Sequence, residues 1–180
     1  MLEIRFHGRG GHGAKTAAVI VAGAFLRQGM HAQAFPEFGP ERRGAPIRSF
    51  VRASKEAITT HESVTNPDIA IVLDESLMEL QDITEGLKSD GILLINSPKN
   101  PDFFKKHFNG KIRTIDANRI AVENIGQPMA NIVILGALAS LTGINLDALK
   151  ETVSNYLGKK DKTIAEKNIR AMEIAFKLAK

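Results

Sequence analysis

Residues 129–143, MANIVILGALASLTG, are apolar almost throughout, and residues 14–28, AKTAAVIVAGAFLRQ, are apolar nearly all round. A helix without a polar face has to be covered on every side. Two such helices imply a chain built around a sheet against which they pack deeply. The strand candidates fit this. GILLIN at 91–96 reads as a buried, parallel-type strand, and LEIRF at 2–6, DIAIVLD at 68–74 and KIRTID at 111–116 read as further strands. HAQAF at 31–35 is a further strand. IRSFVRAS at 47–54 alternates Ile47, Ser49 and Val51 with Arg48, Phe50 and Arg52, as a strand near a sheet edge does, and a short strand at 57–60 is expected after it. Helices are expected over 75–86, over 146–157 behind an Asn145 cap, and over 162–179 with Ile164, Ile169, Met172, Phe176 and Ala179 on one face. Strands alternating with helices predict an α/β fold: a doubly wound, mostly parallel sheet with helices on both faces, in a single domain over residues 1–180.

Composition narrows the functions open to such a fold. The 180 residues include no cysteine, so the chain itself can hold neither a disulfide nor a cysteine-ligated zinc or iron–sulfur centre. There is no Trp and one Tyr, which argues against a base-stacking nucleic-acid platform. No apolar run is long enough for a membrane span, and MLEIRF leads directly into a strand pattern with no signal peptide visible; a cytoplasmic protein is expected. The net charge of +4 is uneven. The first 60 residues carry nine Lys/Arg against four Asp/Glu, whereas residues 61–100 carry two against eight. An anionic ligand or an acidic partner surface therefore suits the front of the chain.

That basic front contains FHGRGGHGAKT, residues 6–16. Gly8, Gly10 and Gly13 satisfy G-x-G-x-x-G between a strand and a helix, the setting in which glycines let the backbone approach an anion at a helix start. The dinucleotide fingerprint also needs an acid at the end of the second strand, and Glu37 lies beyond Pro36, inside the next loop. The nucleotide-phosphate loop fits less well. Ala14 intervenes before Lys15 and Thr16, and one extra residue turns the following side chains by about 100°, so Lys15 would miss the phosphates and Thr16 the magnesium. Asp74 resembles the acid of such enzymes, and it equally suits the cap of a following helix.

A second loop, GPERRGAP at 39–46, holds Glu41, Arg42 and Arg43 between prolines and glycines, a rigid setting for guanidinium recognition of carboxylate or phosphate. The histidines, His7, His12, His31, His61 and His107, have no ligand spacing, so no metal site is expected. His12 is suited to carrying a proton, but no nucleophile–base–orienter set accompanies it. No catalytic residue is therefore expected in this chain. Asn131 and Asn168, in or near apolar helix faces, read as buried structural hydrogen-bonders.

Taken in order, RFHGRGGHGAKTAA, QAFPEFGPERRGAPIRSFVR, NPDIAIVLD, GQPMANIVILGALA and NIRAMEIAF resemble the gamma subunits of 2-oxoacid:ferredoxin oxidoreductases, the pyruvate branch most closely. The resemblance spans nearly the whole chain, and the pairing of GRGGxG with FGPERRGAP is its specific part. It implies a subunit of a multi-subunit enzyme that oxidatively decarboxylates a 2-oxo acid to the acyl-coenzyme A and passes electrons to ferredoxin. It implies alpha, beta and delta partner subunits that carry the thiamine diphosphate and iron–sulfur clusters, and an isolated gamma chain without activity. Coenzyme A access is the role it implies for this subunit. The positions it marks for ligand or subunit contact are Gly8, Arg9, Gly10, Gly11, His12 and Gly13, with Glu41, Arg42, Arg43 and Gly44. His12 stands where the family commonly has glutamine. The alternative left open by the residues themselves is a stand-alone dinucleotide-binding oxidoreductase using the Gly8–Gly13 loop.

Overall fold

The computed structural model describes residues 1–37, 43–159 and 161–179. Its centre is one six-stranded sheet: β1 (Leu2–Arg9), β2 (His31–Pro36), β3 (Pro46–Ser54), β4 (Ile69–Val72), β5 (Ile92–Asn96) and β6 (Lys111–Ile115). The spatial order is β2-β3-β1-β4-β5-β6. β1, β4, β5 and β6 run parallel, while β3 pairs antiparallel with both β1 and β2. β3 is therefore the one reversed strand among the described residues, and it lies inside the sheet beside the edge strand β2. The strand expected at 57–60 does not form. Ile58 instead offers its carbonyl to the Gln33 side chain, so this stretch runs across the β2–β3 region rather than joining a ladder.

Five α-helices connect and cover the strands: α1 (Ala14–Arg27), α2 (Ala117–Ile125), α3 (Ala130–Thr142), α4 (Leu146–Leu157) and α5 (Lys162–Leu178). Their buried side chains form one core with alternate residues of the strands, among them Ile4, Phe6, Val51, Ile71 and Leu94. The apolar side chains of α3 are enclosed because α5 packs on the outer side of it; every residue from Ala130 to Ala139 is buried. Asn145 caps α4 through the Ala148 N–H, as its position in the sequence implied. Asn168, fully buried on α5, donates to the Ile164 carbonyl within its own helix.

The cover of the two faces is unequal. On the second face Ala70, Val72, Leu93, Ile95 and Ile112 pack against Leu77, Met78, Ile83 and Phe104. These come from two 3-10 helices, Glu75–Glu79 and Pro101–Phe104, and the turns after them. The helix expected over 75–86 is cut short because Asp82 takes up the Thr84 N–H and hydroxyl, a side-chain turn that competes with helical bonding. α2 was not legible in the sequence; Asp116 starts it by accepting from the Arg119 N–H. Over β1 and β3 the second face carries buried polar side chains beside Phe50: Arg5, His7 and Arg52 are all nearly fully buried there. No helix of the described residues is long and apolar enough to cross a membrane.

Candidate functional site

The glycine loop leaves the carboxyl end of β1, where the neighbouring strands diverge in direction: antiparallel β3 on one side, parallel β4 on the other. Such a switch point is where open α/β sheets hold ligands. The loop and the described end of the second loop lie side by side. Gly10 donates to the Ala45 carbonyl at 2.8 Å, and Gly44 donates to the Gly10 carbonyl at 3.0 Å. Glu41 and Arg42 lie outside the described residues.

Arg9 ties these parts to the rest of the sheet. Its guanidinium donates to Asp74 Oδ2 at 2.8 Å, to Ser76 Oγ at 2.7 Å and to the Gly44 carbonyl at 3.1 Å. Burial alone would push the Asp74 carboxyl up, but the bonds from Ser76 and Arg9 outweigh it and hold it below its ordinary value. Asp74 also caps the Glu75–Glu79 turn, as a strand-end aspartate does. Arg9→Ala should lower stability by about 1–2 kcal/mol, since three hydrogen bonds are lost at a partly exposed site. It should also speed hydrogen exchange at the Gly10 and Gly44 amides. Wild-type protection at both amides would show that Arg9 does not join the loops.

Two clefts flank the glycine loop. One, of about 430 Å³, lies toward β4 and β5, with His12, Asp74, Glu75, Asp116 and Asn131 in its wall. Its carboxylates are already engaged: Asp74 with Arg9, Glu75 with Lys99 and the Ser97 hydroxyl, Asp116 with the start of α2. Asn96, at the end of β5, braces the wall by donating to the Leu73 carbonyl and accepting from the Ala117 and Asn118 N–H groups. The other cleft, of about 450 Å³, lies between the start of α1 and the second loop and includes Lys15, Arg43 and Ile47. It has no acidic wall residue among those described.

Between the clefts stands Gly13, the residue that caps α1. Its φ of +77° favours glycine, and no side chain caps the helix. A Cβ there would lie 2.3 Å from Asn131 Nδ2, so glycine is also what lets α3 approach. α3 likewise begins without a side-chain cap. Two helix starts, with their unsatisfied N–H groups and positive dipole ends, therefore converge on this region.

The geometry bears on the two nucleotide templates. β3 separates β2 from β1, so the end of β2 is not next to the glycine loop as a ribose-binding acid requires. Glu37 is moreover held by both ends of the Arg48 guanidinium at 2.6 Å. The stand-alone dinucleotide reading finds no support. Lys15 and Asp74 lie in different clefts, so the lysine and acid of a phosphate-loop enzyme do not meet on one ligand. No group of three or more His, Cys, Asp or Glu among the described residues is placed to hold a metal.

Strand order, glycine turn and paired clefts define an α/β domain with two clefts at a sheet switch point. Residues 3–178 match the family model described as pyruvate ferredoxin/flavodoxin oxidoreductase, and the chain belongs to that family. It is 46% identical to pyruvate synthase subunit PorC of Methanothermobacter marburgensis, covering 100% of this chain and 98% of that one. It is 44% identical to the pyruvate/ketoisovalerate oxidoreductases common subunit gamma of Thermococcus kodakarensis, covering 98% and 96%. Among solved structures, the pyruvate oxidoreductase subunit PORC of Thermotoga maritima superposes with a TM-score of 0.86 at 40% identity, over 98% of this chain and 95% of that one. The 2-oxoglutarate:ferredoxin oxidoreductase of Magnetococcus marinus, solved with 2-oxoglutarate, coenzyme A and succinyl-CoA bound, contains the same fold in 31% of its chain. There the TM-score is 0.82 at 26% identity, over 99% of this chain.

Proposed function

We propose that this chain is the gamma subunit of a multi-subunit 2-oxoacid:ferredoxin oxidoreductase, with pyruvate as the 2-oxo acid. The assembled enzyme breaks the bond between the carboxylate and carbonyl carbons, releases carbon dioxide, joins the acyl group to the thiol of coenzyme A and delivers the electron pair to ferredoxin. Thiamine diphosphate and the iron–sulfur clusters belong to the alpha, beta and delta partners. The gamma chain supplies a docking and ligand surface in the cytoplasm and has no activity alone. Its 180 residues form one gamma-type α/β unit.

The observation that carries this reading is the hydrogen-bonded junction of the two loops, Gly10 with Gly44 and Ala45, in a chain whose relatives are gamma subunits over almost their whole length. Gly8 to Gly13 and Arg43 to Gly44, with Glu41 and Arg42 next to them in sequence, are the proposed contacts with coenzyme A or the catalytic subunits. The test is recovery of a tagged chain from its source cell. A brown complex that contains iron and thiamine diphosphate, and that oxidises pyruvate only with coenzyme A, is the expected result. A colourless monomer overturns the proposal. Within that complex, Arg43→Ala should raise the KM for coenzyme A or weaken assembly, and wild-type values for both would remove Arg43 from the site.

A further inference from the structure

The two edges of the sheet are built differently. β6, at one edge, is guarded: Lys111 and Arg113 are exposed on it, and the Arg113 guanidinium donates to the Ile112 carbonyl at 2.9 Å. Charged side chains on an edge strand discourage pairing with another chain. β2, at the other edge, carries no Lys, Arg, Asp or Glu. The Glu37 N–H donates to the Arg48 carbonyl, and the ladder register then turns the backbone groups of Phe35, Gln33 and His31 toward β3. The N–H and C=O groups of Ala32 and Ala34 alternate with these. They point outward and have no partner among the described residues. Pro36 holds the next outward position, where its missing N–H costs no ladder bond.

An uncovered apolar face lies above this edge. α1 rests about equally on β2 and β3, and its other flanks meet α3 and, through Gly23 and Arg27, α4. Val19 and Leu26, two turns apart on the remaining face, are 38% and 56% exposed. Gln33 adds an open polar group. Its Nε2 donates to the Ile58 carbonyl, but its Oε1 is shielded from solvent and has no partner among the described residues.

A single two-fold axis satisfies all three features. If β2 pairs antiparallel with a second β2 so that Ala32 faces Ala34, both become hydrogen-bonded pairs, and Gln33 lies on the axis opposite its own copy. Gln33 is about 7 Å along β2 from His31, and the midpoint between Val19 and Leu26 is about 7 Å back along α1 from Arg27. The same axis therefore sets Val19 against Leu26 of the second copy. Strands pair about 4.8 Å apart, so two helices centred over β2 and β3 would lie about 10 Å apart, the distance at which helices pack. Arg27, the cation nearest the second copy's Lys15, is already paired with Glu151 at 2.7 Å.

We propose that this chain associates with a second copy of itself through β2 and α1, the two sheets joining edge to edge. Ala32 and Ala34 exchange backbone hydrogen bonds across the axis, and Val19 and Leu26 pack above it. The two Gln33 amides turn toward the edge, and each donates its free N–H to the facing Oε1. Within the enzyme proposed above, this contact holds two gamma chains in one particle.

Sedimentation velocity of the purified full chain tests this, and should show a species of twice 19.6 kDa. Leu26→Lys and Ala34→Pro should each weaken association at least tenfold. Leu26 is exposed and the Ala34 N–H faces outward, so both variants should keep the wild-type circular dichroism spectrum. Val122→Lys, at an exposed position on α2, is the control and should associate as wild type. Because the chain has no cysteine, Gln33→Cys reads the register directly. Facing Cα atoms in a pair without hydrogen bonds lie about 4.5 Å apart, so this variant should oxidise to a covalent dimer. Ala32→Cys, which faces Ala34, should not. A monomeric wild-type chain, equal cross-linking of the two cysteine variants, or undiminished association of Leu26→Lys and Ala34→Pro overturns the proposal. One gamma chain per particle in the recovered complex also overturns it, and leaves the subunit assignment intact.

Discussion

Gly136→Ala should destabilise the protein by about 3 kcal/mol or more, close to the upper end for overpacked cores. Gly136 lies midway along α3, where α5 crosses, and an added Cβ would stand 1.9 Å from the Met172 carbonyl oxygen and 2.9 Å from the Phe176 nitrogen. Both obstacles are backbone, so no side-chain rotation relieves them; the helices must separate. Ala171 and Ala175 on α5, both fully buried, allow the same close approach from the other side. In a free helix the substitution would gain about 1 kcal/mol in propensity, so a loss measures the contact against an opposing trend. The expected fall in melting temperature is about 6–12 °C. Gly23→Ala is the control. There the obstacle is the Thr152 methyl at 2.7 Å, the end of a side chain that can yield, and the expected change is much smaller. A neutral or stabilised Gly136→Ala protein would mean that α3 and α5 do not touch at their backbones.

The second large effect is on acid stability. His7 is 2% exposed on the second face of the sheet. Its Nε2 accepts from Arg5 Nε at 3.0 Å, which places the ring proton on Nδ1, and Nδ1 has no partner among the described residues. Burial above all, then the nearby Arg5 and Arg48 charges, pushes its pKa down to about 3 from 6.5. The folded state thus keeps His7 neutral where the unfolded chain takes up a proton. Stability is full above the unfolded value near pH 6.5 and falls as pH drops toward 3, by up to about 1.4 kcal/mol per unit. From pH 6 to pH 4.5 the loss should approach about 2 kcal/mol in urea unfolding. Asp74 and Glu75, whose values are lowered, add their own loss only below the ordinary carboxylate range, so the interval above pH 4.5 isolates the histidine. His7→Gln retains an acceptor for Arg5 and removes the titration. Its profile should be flatter over that interval, and equal slopes in the two proteins would rule His7 out as the cause.

What could be read in the chain, and what could not, follows from the range of the interactions involved. α1 and α3 were legible because an all-apolar helix has one way to be satisfied, and β4 and β5 because short apolar runs between turn residues have little else to become. α4 was legible through a local cap. α2 was not, because ANRIAVENI is short and mixes four polar residues with five apolar ones, and its start depends on Asp116 and on Asn96 from a different strand. The stretch after Asp74 has apolar spacing suited to a helix but also contains an Asp82–Thr84 turn, and the local hydrogen bonds prevailed. The paired glycine and arginine motifs pointed to the site without showing its shape.

By itself, the sequence determined the class of fold, the glycine turn before α1, the absence of any cysteine-based chemistry, and the motif pair that marks the family; each depends on composition or on neighbours a few residues apart. Only the tertiary structure decided that β3 lies between β1 and β2, that Arg9 is bonded to the second loop, to Ser76 and to Asp74, that Lys15 and Asp74 face different clefts, and that Asn131 meets Gly13 across 118 positions of chain. Those arrangements depend on strand order and helix packing, which arise when distant segments bury their apolar surfaces together, and no local pattern records the result.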